Sequence, residues 1–164
     1  SGGRINIFFE MGRYQSNLVE AKGGSGAEPG GPGMAYFHGS QIRNLRIDNK
    51  CQKPIVTEPS GNKADYMDYQ QYIYSGAIAY LLPPQDDFTY DFTQVELYGG
   101  AHLTFGGNRT TVITMRLFGD DTGHIHIPPY HTLKLLPLPK YHRLNVTYVP
   151  YVYENASWIL PDSV

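Results

Sequence analysis

Cysteine is nearly missing from this chain of 164 residues: Cys51 stands alone. An internal disulfide framework is therefore excluded, and Cys51 either pairs outside the chain or lies buried as a small hydrophobe. An excess of charge of one sign is missing too. Thirteen Lys and Arg against fifteen Asp and Glu leave a formal net charge of −2, with no basic run or stripe. A nucleic-acid partner or an anionic-membrane surface finds no electrostatic footprint here. Long apolar runs are also lacking. Segments such as AIAYLLPP fall far short of the ~20 residues a bilayer-spanning helix needs, so no membrane insertion is expected. Finally, no long stretch places apolar residues at i, i+3, i+4 and i+7, which removes the basis for amphipathic helices.

What is abundant points to strands and turns. There are 14 Tyr, 7 Phe, 18 Gly and 12 Pro. Aromatic and β-branched residues suit a pleated, half-buried surface, while Gly and Pro reverse the chain. The whole of 1–164 reads as a single all-β domain. It opens on SGGR, with neither Met nor a signal sequence, and is expected to be a fragment of a larger processed chain. The sequons at Asn108, Asn145 and Asn155 exceed the roughly one that chance gives at this composition. They favour glycosylation at these three residues, in a secreted protein or on the extracellular face of a membrane protein.

Short strands alternate with Gly-rich turns through the first third: RINIFF, NLVEA, MAYF and IRNLRID. The loop KGGSGAEPGGPG between them lacks the G-x-x-x-x-G-K-S/T arrangement and is followed by no helix pattern, so it reads as a turn and not a phosphate cradle. Residues 49–76 form an irregular Tyr-rich excursion, with a short helical turn near Asp65–Tyr72. From Ala77 the pattern sharpens into AIAYLL, FTQVELY, AHLTF, TTVITMRLF, HIHI and TLKLLPL. The segments VELYGGAHLTF and MRLFGDDTGHIHI align, which makes Leu97 equivalent to Leu117 and puts the extra residues of the second copy in its turn. A repeat of about 20 residues with Gly-rich corners is what a β-solenoid produces. A β-sandwich or jelly roll is the structural alternative. Residues 137–164 do not match the repeat and read as a C-terminal cap or linker, with Trp158 docked on the framework.

The runs SGGRINIFF, VEAKGGSGAEPGGPGMAYFHG and IRNLRIDNK, continued by AYLLPPQDDFTYDFTQVELYGGAHLTF, resemble a Gly-rich module repeated in very large extracellular proteins of animals. The likeness covers residues 1–135 in outline. It implies a right-handed parallel β-helix, or a related β-solenoid, in a cell-surface or matrix protein without catalytic activity. The irregular excursion departs from a compact repeat.

Three groups of residues carry chemistry. The first is the histidine set His124, His126 and His131. H-x-H on a strand suits two metal ligands, as in a cupin-like jelly roll, but no Glu follows in IPPYHTLKL. Period two puts Ile125 and Ile127 in the core and both histidines on the opposite, solvated face, with His102 beside His124. No metal is expected; if one binds, His124 and His126 hold it. The second is Asp120 with Asp121, which could serve as paired carboxylates or hold Ca²⁺, and reads equally as a polar corner that caps backbone N–H groups while Gly takes positive φ. The third is the tyrosine cluster Tyr66, Tyr69, Tyr72, Tyr74 and Tyr80, the leading candidate for partner binding because Tyr joins a large apolar ring to a polar tip. No nucleophile elbow and no cofactor fingerprint occur, so no cofactor is expected. The expected function is a non-catalytic extracellular structural or adhesion module, linked to neighbouring domains and touching protein or glycan. A carbohydrate-active enzyme on a β-helix and a metal-dependent jelly roll are the alternatives.

Overall fold

Alternating apolar and polar residues between glycine-rich corners settle into eleven strands among the described residues. In the computed structural model, which describes residues 3–9, 21, 32–50, 78–137 and 150–161, no helix occurs among the described residues. The strands are β1 (Arg4–Phe8), β2 (Met34–His38), β3 (Arg43–Asp48), β4 (Ile78–Leu81), β5 (Thr89–Tyr98), β6 (His102–Phe105), β7 (Thr111–Gly119), β8 (His124–Ile127), β9 (Thr132–Leu135), β10 (Tyr151–Val152) and β11 (Ser157–Ile159). The all-β expectation holds. Residues 51–77, with Cys51, lie outside the described residues.

Two sheets share the strands. The order β1-β2-β3-β5-β7-β9-β11 makes a seven-stranded sheet and β10-β8-β6-β4 a four-stranded one. From β3 onwards, successive strands alternate between the two. All pairings are parallel except β2 with β3, which is antiparallel. Parallel neighbours in one sheet need a crossover, and from β3 onwards each crossover contains the intervening strand of the other sheet. β10 and β11 extend both sheets, pairing with β8 and β9, although 137–164 carries no trace of the repeat in its sequence.

Register corrects one expectation. His102 faces His124 as the aligned segments imply, but Leu117 faces Val95 and Leu97 faces Gly119. The chain offset is the same 22 residues that separates Thr104 from His126, so the second copy has no longer turn. The misalignment hides a corner. Thr89–Phe92 pairs with Thr111–Thr114, and pairing resumes at Gln94 with Arg116, skipping Thr93 and Met115. Before the skip Phe92, Val112 and Thr114 are buried; after it Val95, Leu97 and Leu117 are. The buried side changes parity there, which a strand of strict period two cannot do.

The core lies between the sheets. Leu81, Phe105 and Ile127 form one column, Ala79, Leu103 and Ile125 another, and Val112 with Leu133 a third that ends at Trp158. Leu103, Leu117, Ile125, Ile127 and Leu133 have no exposed surface. Each fully buried aliphatic side chain contributes about 1.5–3 kcal/mol relative to exposure.

The corners are built alike. Asp87, Arg109, Tyr130 and Asn155 all have left-handed backbone, with φ of 55°, 53°, 68° and 62°, at equivalent positions in four successive corners. Backbone bonds join neighbours in this column, from Asp87 N–H to Asn108 O at 3.0 Å and from Tyr130 N–H to Asn155 O at 2.9 Å. A bidentate ion pair from Arg109 to Asp87 ties two of them further.

Candidate functional site

His102 lies on β6, and His124 and His126 on β8. They point away from the core as expected, but that face is not solvated. His126 has no exposed surface and His102 only 6%. The reason is ring stacking. His102 packs on His124 and His126 at centroid distances of 4.8 and 5.1 Å, and Tyr151 covers His124 and His126 at 5.3 and 5.0 Å. Nδ1 of His102 lies 2.8 Å from Nε2 of His126, and Nδ1 of His126 lies 3.3 Å from the Tyr153 hydroxyl. Burial, with the neighbouring imidazoles, holds His102 and His126 down at about 3; burial also lowers His124. These are neutral rings, buried at His102 and His126 and half-exposed at His124.

His131 does not join them. It is buried in the β8–β9 corner, with Nδ1 2.9 Å from Pro129 O and Nε2 3.0 Å from Gly107 O, so whichever nitrogen carries a proton meets a carbonyl. No group of three or more His, Cys, Asp or Glu side chains able to hold a metal occurs among the described residues.

Asp120 works as a corner cap. Its Oδ2 accepts from Gly99 N–H at 3.0 Å and its Oδ1 from Thr122 N–H at 3.2 Å. Burial raises its pKa, but hydrogen bonds from Thr122 and Gly99 outweigh that and hold it below the usual range. The positive φ falls on Asp121, at 66°, and not on the flanking glycines as expected. Gly119 and Gly123 serve close packing instead: a Cβ on either would run into Leu97. Asn108 and Asn155 are exposed in the corner column; Asn145 lies outside the described residues, as do Tyr66, Tyr69, Tyr72 and Tyr74. Tyr80 is half-buried in β4, and its carbonyl accepts from Arg4 Nη2 at 3.5 Å.

The site sequence reasoning missed lies where the seven-stranded sheet outruns its partner. Among the described residues the smaller sheet has no strand beyond β4, while the larger continues through β3 to β2 and β1. The inner face of that extension carries Asn6, Tyr36 and Leu45 side by side. With Leu81, Phe88, Tyr90, Asp91 and Phe92 it encloses a cleft of about 380 Å³, inside the ~300–1,000 Å³ range of small-molecule sites. The rings Phe8, His38, Tyr36, Phe92, Tyr90 and Phe88 form an unbroken track along it. Tyr90 and Phe92 lie parallel within 8° at 5.6 Å, whereas Tyr36 meets Phe92 edge-on at 5.9 Å.

Charge flanks the track at two points. Arg43 Nη2 is 3.2 Å from Asp91 Oδ1, and these two groups act on the Tyr36 hydroxyl, whose pKa rises chiefly through burial. Arg4 acts on the Tyr90 hydroxyl, which burial likewise raises and which donates to Leu82 O at 2.8 Å.

Comparison with protein families, curated proteins and solved structures finds no match for this chain. The antiparallel turn-back of β2 on β3 brings Tyr36 to Phe92, and no local motif announces such a meeting.

Proposed function

We propose that this chain is a non-catalytic β-solenoid module of a secreted or cell-surface protein, joined to neighbouring domains, that presents the aromatic cleft to a protein or glycan partner. The aromatic track carries the reading. Exposed and half-buried rings beside a concave site supply contact area at small conformational cost. The solenoid is supported by parallel strands alternating between two sheets, by offsets of 21–25 residues between paired strands from β4 onwards and by the column of like corners. The resemblance to Gly-rich extracellular modules points the same way, as do the exposed sequons Asn108 and Asn155 on that column.

The test is a binding screen of the whole chain against immobilised glycans and extracellular proteins, repeated with Tyr36→Leu. A ligand whose binding drops at least tenfold in the variant is expected. Binding indifferent to Tyr36 would remove the cleft from the account.

A carbohydrate-active enzyme is the second reading, favoured by Asp91, Arg43 and Arg4 lining or flanking one groove. Glycoside hydrolysis ordinarily needs two carboxyl groups across the scissile bond. Asp91 is the single carboxylate of the cleft lining among the described residues. Release of new reducing ends, or of unsaturated uronate absorbance, from a polysaccharide would favour the enzyme.

A further inference from the structure

The rings and charges of the cleft restrict its occupant further, on the reading that the cleft is the recognition site. A pyranose presents a face of C–H groups and a rim of hydroxyls. The face packs on an aromatic ring; the rim needs planar hydrogen-bonding groups at the ring's edge. The cleft offers both, since Tyr36 and Tyr90 are half-buried in its wall and Asn6, Asp91 and Arg4 line its edge. A proline-rich peptide also docks on aromatic grooves. Proline lacks an N–H, however, and offers no donor to the Asn6 side-chain carbonyl or to the Asp91 lone pairs that Arg43 leaves open.

The cations are not equivalent. Arg43 is committed to Asp91. Arg4 is exposed, and its guanidinium touches the Tyr80 carbonyl alone at 3.5 Å; no carboxylate pairs with it among the described residues. Guanidinium matches a carboxylate in bidentate geometry better than any other side chain. The ring track extends from the cleft to Phe8, which is 69% exposed, so contact continues past a single sugar unit.

We propose that the cleft binds an acidic oligosaccharide, with sugar faces laid on Tyr36 and Tyr90 and a sugar carboxylate held by Arg4.

Isothermal titration of the whole chain with a hexuronic-acid tetramer, the neutral hexose tetramer of the same linkage and a proline-rich decapeptide tests this. The uronate is expected to bind about tenfold more tightly than the neutral sugar, and Arg4→Gln to abolish that difference. Arg4 is exposed, so the variant keeps its fold, and an unchanged melting curve checks it. Asp91→Asn is expected to tighten uronate binding by removing a like charge. Equal binding of both sugars, unaffected by Arg4→Gln, overturns the acidic ligand and leaves the recognition reading standing. Binding of the peptide alone overturns the saccharide in favour of a peptide partner. No binding by any of the three overturns the inference, and binding in the wider screen then decides the reading it rests on.

Discussion

His126 and His102 share a single short contact between ring nitrogens, and that contact requires one to donate and the other to accept. Both rings are held neutral, at about 3 against an ordinary 6.5. The unfolded chain takes up protons as pH falls through 6.5, while the folded chain does not until about 3. Their contribution is therefore complete above 6.5 and is lost progressively as pH falls towards 3, by ~1.4 kcal/mol per pH unit for each histidine. Urea unfolding should give a stability lower by roughly 2–4 kcal/mol at pH 5 than at pH 7. An unchanged midpoint would mean that the stack takes up protons between pH 7 and pH 5 without unfolding. Tyr130 is a second residue-scale case. A bulky side chain at φ 68° costs about 1–2 kcal/mol, and the ring is 68% exposed, so it returns little packing. Tyr130→Asn, which tolerates this conformation, is expected to raise the melting temperature by a few degrees.

Strands that are interior to the ladder should matter more than those at its end. Leu117 is fully buried on β7, which has β5 and β9 on either side. Leu117→Ala is expected to cost about 2–5 kcal/mol in urea unfolding. Trp158, half-buried on the last strand of its sheet, should cost less when cut to Ala despite its greater size. Elements of this kind were largely legible. The strand segments and the His102–His124 register follow from alternating residues and a repeated small–His–apolar pattern. The alignment of Leu97 with Leu117 failed because the corner at Thr93 and Met115 resets parity without a Gly or Pro to mark it. Period two assigns the histidine face to solvent only for a one-sided sheet. Burial there comes from rings stacked across strands, which period two cannot report. The cleft was invisible for a related reason: Tyr36, Tyr90 and Asn6 meet only through pairing of segments far apart in the chain.

At the scale of the molecule, both sheets end in edges among the described residues. β10 and β11 close one end, and Tyr151, Val152, Ile159 and Leu160 are each more than 40% exposed there. Unpaired strand edges with apolar side chains recruit further strands unless something blocks them. Sedimentation analysis of the whole chain should show concentration-dependent association, weakened by Ile159→Lys; a strictly monomeric chain at high concentration would mean the end is already protected.

The parallel ladders also give the molecule a mechanical grain. Inter-strand hydrogen bonds run across the strands, so along the stacking direction the strand pairs are linked one after another, in series. A pull in that direction parts the weakest pair first and lets the rest follow in turn. A pull along the strands loads every bond of a pair at once. The two-residue β10 is held by much less than the long β5–β7 pair. Under tension along the stack, extension should therefore begin at β10 and β11 and reach the β5–β7 pair last.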